Sequence, residues 1–448
     1  MTEDDQSNAT GIVLVIAIIA VPLLLALCIV FGVIGSLMLP IMLSERPLAV
    51  FDSAESDATR FNRLVLINTN DQIETISPNG DNRRVVSSSP YAYQFPSWSP
   101  DDSLIAALGT DGSESGLFVM PDSADAEPTA VFNARFTPIY HSWSPDGQKL
   151  SLIANHPRGF GLYIVPTDAA DEPRLLATGQ PLYWDWMAAS DELFVHTGTP
   201  RNGSDQLGFV ATDENGSTDS IADSGFFQAP AISASGAYAA YAQYVAGERQ
   251  VVIRPIDGGD GLVVDHNKTT TFAWNPQADQ LVFVAPPAND GNETFGALHY
   301  IDVATQDELI LTDHQTVAFF WSPDGQKIAY LKVRFNSQSQ QVSADNLIRV
   351  RQSHPSILLE LWVIDMSNGA QNATRELVAV FQPNPLFLTQ FLPFYDQYSR
   401  SHQLWSPTSD AIVLPIQRDA EFSVAIYPID GSDPQIIPNA KIAFWSHH

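Results

Sequence analysis

The densest group of residues that could do chemistry lies in 383–402, PNPLFLTQFLPFYDQYSRSH, where Phe387, Phe391, Phe394, Tyr395 and Tyr398 fall within twelve residues. Aromatic residues make up 10% of the whole chain, so this concentration calls for its own explanation. Asn384-Pro385 can start a helix, which would place Phe387, Phe391, Phe394 and Tyr398 at i, i+4, i+7 and i+11, on one face. Pro393 would break that helix into two short turns. Such a face either docks a protein partner or packs onto its own domain as a lid, and the sequence leaves both open. A second insertion, 336–356, brings Arg349, Arg351 and His354 close together in an acidic chain. They could hold an anionic group or pair with nearby carboxylates. The partner-binding candidates are therefore Phe387, Phe391, Phe394, Tyr395, Tyr398, Arg349 and Arg351.

Catalytic motifs are missing from the sequence. GSESG at 112–116 puts Glu114 where a nucleophile elbow needs serine. No HExxH, P-loop or dinucleotide fingerprint occurs, and the ten histidines are scattered. The one cysteine, Cys28, excludes disulfides within the chain and any cysteine-based metal site. Asp146 and Asp324 stand in turns without the alternating carboxylates of a calcium loop, so they are read as turn caps. No catalytic, cofactor or metal residue is assigned. A glycan- or ester-cleaving hydrolase remains the alternative, because two carboxylates among 51 acidic residues can pair in space without a sequence trace.

The elements that position these residues are repeats. WSPDGQKL at 143–150 returns as WSPDGQKI at 321–328, with looser copies from Trp98, Trp274 and Trp405, and fainter ones from Trp186 and Ile232. An eighth copy, from Trp445, stops at WSHH. Pro presets φ and Gly supplies positive φ, so the apolar runs on either side of the turn fold back as antiparallel neighbours. Two weaker apolar runs follow, giving four short strands per unit, the pattern of a propeller blade. The recurring Trp residues are read as packing between blades. The 84-residue gap between Trp321 and Trp405 reads as one blade with two insertions. RLVLIN, QIETIS and RRVVSS near the start lack a first strand, and KIAFWS near the end lacks the other three. Pairing them predicts an all-β, eight-bladed propeller closed by the C-terminal strand, with seven blades as the alternative.

WSPDG followed by an apolar strand, a LYVID-like strand and an RLL-like strand resembles the WD40-like propeller repeat of the TolB family. Similar repeats occur in the propeller domains of tricorn and prolyl-oligopeptidase-type proteases. The resemblance covers nearly all of the chain beyond residue 62. It implies the propeller fold and an exported location, and it carries over no partner. TolB has six blades and an additional N-terminal domain, in which this chain departs from it.

Residues 11–43 carry no charge and exceed the roughly 20 apolar residues that span a bilayer, so a single uncleaved transmembrane anchor is expected there. It would follow a tail, 1–10, and precede a linker, 44–61, and the propeller, 62–448. On this reading the protein sits in the cell membrane through its N-terminal helix, with the propeller outside the cytoplasm. The net charge of −29 repels phosphate backbones and excludes nucleic acid as a partner. The expected function is a membrane-anchored scaffold that binds a protein or ligand.

Overall fold

The computed structural model describes residues 62–87, 90–198, 206–213, 219–223, 229–245, 248–266, 270–285, 296–312, 316–334, 357–418 and 421–448. They form eight antiparallel sheets, the blades of an eight-bladed propeller. Blades 1 to 7 occupy 92–134, 140–179, 182–223, 231–266, 271–310, 316–381 and 411–438. Blade 8 joins Leu64–Asn68, Ile73–Ile76 and Arg84–Val85 to Ala440–Trp445, with Leu64 opposite Trp445 and Ile67 opposite Ile442. The count corrects the seven-bladed alternative. The closure expectation is corrected as well: no sheet closes on itself, and the C-terminal strand completes an open four-stranded blade. First strands of successive blades lie side by side around the axis, Leu182–Trp186 against Ala231–Ile232, then Thr271–Trp274, then Thr316–Trp321.

The repeated letters have local causes. In each full copy the Ser hydroxyl accepts the N–H five residues on: Leu104 to Ser99 at 2.9 Å, Lys149 to Ser144 at 2.9 Å, Lys327 to Ser322 at 2.9 Å and Ala411 to Ser406 at 3.0 Å. Asp146 and Asp324 accept from Gln148 and Gln326, so both cap their turns. The fifth position is left-handed in Gly147 and Gly325, and also in Asp102, Ser190, Gly236 and Ser409. Glycine adopts that conformation at no steric cost.

The Trp indoles then tie blade to blade. Nε1–H of Trp143 donates to Ser97 O, Trp274 to Ala231 O, Trp321 to Ala273 O and Trp405 to Phe320 O, at 3.0–3.3 Å. Each acceptor sits one residue before the anchor of the preceding blade. Trp186 reaches the equivalent Ser142 O through the Ser151 hydroxyl, which accepts from the indole at 3.0 Å and donates onward at 3.1 Å. The indoles of Trp98 and Trp445, on either side of the seam, have no such partner among the described residues. There the Asp102 carboxylate accepts the backbone N–H groups of His447 and His448 at 2.7 and 2.9 Å.

Blade 7 shows a three-stranded sheet, because its first strand is split. Pro383 bridges Ile416 and Trp405 bridges Ile412 on the same strand, Ala411–Arg418. Four positions separate Ile412 from Ile416, whereas 22 separate Pro383 from Trp405, so eighteen residues leave the sheet between them.

The expected membrane anchor, 11–43, falls outside the described residues. Among the described residues no helix is long and apolar enough to cross a membrane. A span needs about 20 apolar residues in one helix, and the helical segments of 387–398 hold at most five. The transmembrane helix, membrane attachment through it and the cell-membrane location are therefore withdrawn from the fold and the function.

Trp405 and Trp445 are both almost fully buried, but only Trp405 has an indole bond to satisfy. Trp405→Phe should cost about 1 kcal/mol more than Trp445→Phe, the typical worth of one buried hydrogen bond. Paired denaturant titrations read this difference; equal losses would mean the indole bonds do not hold the blades together.

Candidate functional site

The eighteen residues that leave blade 7 enter the axis of the ring as a plug. Asn384 starts it: its side-chain oxygen accepts the Phe387 N–H at 2.9 Å and its amide donates to Lys441 O at 2.6 Å. A π-helical turn, Phe387–Phe391, a 3-10 turn, Leu392–Phe394, and an α turn, Tyr395–Tyr398, follow in succession. Pro393 lies in the 3-10 turn and prevents one continuous helix.

The plug's rings meet rings from the first strands all round the axis. Phe391 stacks between Phe387 and Tyr398, both at 5.2 Å, and lies 5.9 Å from Phe444 of blade 8. Tyr398 packs on Phe95 of blade 1 at 4.8 Å and edge-on against Tyr140 of blade 2 at 5.1 Å. Tyr395 packs against Phe319 and Phe320 of blade 6 and bonds the Thr271 hydroxyl of blade 5. Phe387, Phe391, Tyr395 and Tyr398 are buried, and Phe394 is half-buried. Burial holds the Tyr395 and Tyr398 hydroxyls well above the usual tyrosine range. The aromatic cluster thus packs inward as core, and its four buried rings offer no face to a partner. Arg349 and Arg351 lie outside the described residues.

A polar side of the plug faces blades 2, 3 and 4. Gln397 brackets the backbone of Trp184, accepting its N–H at 3.3 Å and donating to its carbonyl at 3.0 Å. Arg400 donates to Ala229 O and Pro230 O and pairs with Asp185 at 3.4 Å. Asp185 also accepts the N–H of Ile232 at 2.8 Å and of Trp186 at 3.0 Å. Asp396 accepts from Ala229 N–H at 3.2 Å. Burial raises both carboxyls above their ordinary value, with the Arg400 guanidinium pulling the other way.

His402 ends the plug. Its Nε2 lies 3.1 Å from Phe95 O, which can only accept, so Nε2 carries the proton. Nδ1 then accepts the Ser401 hydroxyl at 2.7 Å, and Tyr140 lies 2.7 Å from the same oxygen. Burial lowers His402 to about 4. His141, its ring 5.5 Å away, is pushed well below the usual range by burial and by His402. Asp185, Gln397, Arg400, Ser401 and His402 escaped the sequence reading. For Gln397, Arg400, Ser401 and His402 the available signal was their interleaving with the aromatic residues of one insertion; Asp185, in blade 3, had none.

Beside the plug lies a cavity of about 210 Å³, lined in part by Trp143, Trp184, Trp186, Ser142, Asp185 and Arg400. Asp185 is the one carboxylate in its lining, and it is already paired. A glycosidase needs two carboxyl groups facing one bond, so the hydrolase alternative finds no site here. Among the described residues no group of three or more His, Cys, Asp or Glu is placed to hold a metal ion.

Fold and site together define an eight-bladed propeller whose axis is filled by a segment of its own blade 7. No protein-family model and no curated protein matches the chain. The WSPDG copies therefore leave it similar to the TolB family without placing it there. Among solved structures, a prolyl endopeptidase matches 79% of this chain and 50% of its own, with 9% identity and a TM-score of 0.52. An oligogalacturonate lyase in complex with manganese matches 81% and 95%, with 13% identity and a TM-score of 0.50. TolB from Acinetobacter baumannii matches 56% and 64%, with 18% identity and a TM-score of 0.36. At these identities the likeness is one of fold.

Two outcomes follow from the plug. Phe391→Asp should destabilise the whole domain by several kcal/mol, because it strands a charge among stacked rings; an unchanged melting temperature would show the plug is not core. His402 is neutral when folded, whereas the unfolded chain takes a proton near 6.5. Its contribution is complete above pH 6.5 and is lost as pH falls toward 4, about 3 kcal/mol in all. Asp185 and Asp396, with raised values, act in the opposite direction. His402→Asn should therefore flatten the stability profile between pH 6.5 and 4, and an unchanged slope would remove His402 from the account.

Proposed function

We propose that this chain is a protein-binding propeller, a scaffold with no catalytic step of its own, which recognises its partner on the outer rim of blades 4 to 6. The carrying observation is where exposed apolar surface collects. Of eight large apolar side chains exposed among the described residues, Val245, Val263, Ile310, Ile357, Leu377 and Val380 belong to these three consecutive blades. Ile310 is 65% exposed and Leu377 46%, both on the outermost strand of their blade. Clustered exposed apolar side chains mark interaction surfaces more often than isolated ones do.

The net charge of −29 favours a partner with a basic surface, drawn in by the long-range field. The apolar rim would supply contact energy and the surrounding carboxylates the approach. In the double variant Ile310→Asp/Leu377→Asp, proteins retained by the parent on an affinity column should be lost while the melting temperature holds. Retention of the same proteins by the folded variant would place recognition elsewhere.

A further inference from the structure

The cavity beside the plug presents two donors that the fold leaves under-used. Arg400 spends Nη1 and Nη2 on Pro230 O, Ala229 O and Asp185, and its Nε–H makes no hydrogen bond among the described residues. The Ser142 hydroxyl has a 3.4 Å contact to Trp143 O and an interaction with the Tyr140 hydroxyl. Both residues line the cavity, and Trp143, Pro145, Trp184 and Trp186 supply apolar walls. Of the other polar groups there, the Trp98 indole N–H also lacks a partner among the described residues, whereas three side chains are committed. Asp185 is ion-paired with Arg400 and accepts from Ile232 and Trp186; Gln397 brackets Trp184; Ser401 joins Tyr140 to His402.

Arg400 and Ser142 line the same cavity, and a guanidinium and a hydroxyl are both donors that a carboxylate's two oxygens can accept from. A cation is disfavoured, because the one carboxylate in the lining already faces Arg400. The volume of about 210 Å³ equals roughly seven liquid-water volumes of ~30 Å³ each, room for a single small ring or short chain. We propose that this cavity binds a small organic monocarboxylate, its oxygens on Arg400 and Ser142 and its apolar part against Trp143 and Trp186. The protein's negative field opposes an anion's approach, so binding rests on the local guanidinium.

Calorimetric titration of the whole protein with benzoate, and in parallel with its neutral isostere benzamide, tests this. Benzoate should bind saturably and benzamide at least tenfold more weakly, since it brings no charge to the guanidinium. Ser142→Ala, which removes one weakly bonded hydroxyl, should keep the parent's melting temperature and weaken benzoate a few-fold. Arg400→Lys keeps the charge but not the fork, and should weaken it by about tenfold. Equal binding of the two probes, no saturation with folded protein, or full benzoate affinity in Ser142→Ala and Arg400→Lys would each overturn the proposal. The rim variant Ile310→Asp/Leu377→Asp should bind benzoate like the parent, so failure of this site is distinguishable from failure of the rim.

Discussion

The indole-to-carbonyl bond between successive blades is the interaction on which the rest of the ring depends. A sheet of four short strands buries too little apolar surface to stand alone, so each blade must be fixed against the next. The Trp at the end of a first strand does this twice, through the area it buries and through one N–H aimed at the backbone of the preceding blade. Where the anchor is Ile232 there is no indole, and the junction is carried by packing and by the Ile232 backbone N–H, which donates to Asp185 of the preceding blade. At the seam the indoles of Trp98 and Trp445 lack this bond, and the Asp102 carboxylate takes the backbone of His447 and His448 instead. Burial raises the carboxyl above its ordinary value, and the N–H donors offset part of that.

A ring of eight blades leaves a wider axis than first-strand side chains alone fill, and this chain fills it with its own residues. Splitting the first strand of blade 7 places the plug at no cost in extra domains: both of its ends stay bridged to Ala411–Arg418. The plug then meets every other blade or the segment entering it, through rings on one side and through Gln397, Asp396 and Arg400 on the other. Such a segment couples the blades mechanically. Beside it, at Arg400, lies a modest cavity.

The polar half of the plug explains why the insertion is not simply apolar. A wholly apolar segment could slide or rotate within a ring of similar strands. Arg400 held by Asp185 and two carbonyls, and His402 held by Phe95 O and Ser401, fix one orientation. Buried polar bonds add little net stability but penalise every arrangement that leaves them unmade.

The sequence by itself determined the blades, because a WSPDG turn is a local object. Its serine, aspartate and glycine bond within five residues, and the strands on either side pair with their immediate neighbours. The orphan strand 441–446 was legible for the same reason, as an unmatched unit in a regular series. The aromatic insertion was legible as unusual and not as a plug: whether Phe391 and Tyr398 meet solvent or rings depends on Phe95, Tyr140, Phe320 and Phe444, up to some three hundred residues away in the chain. The pairing of Asp185 with Arg400 had no trace in spacing, since only the packing of the blade-7 insertion against blade 3 brings them together. Local bonds wrote the repeat, and tertiary packing decided which of its insertions turned inward.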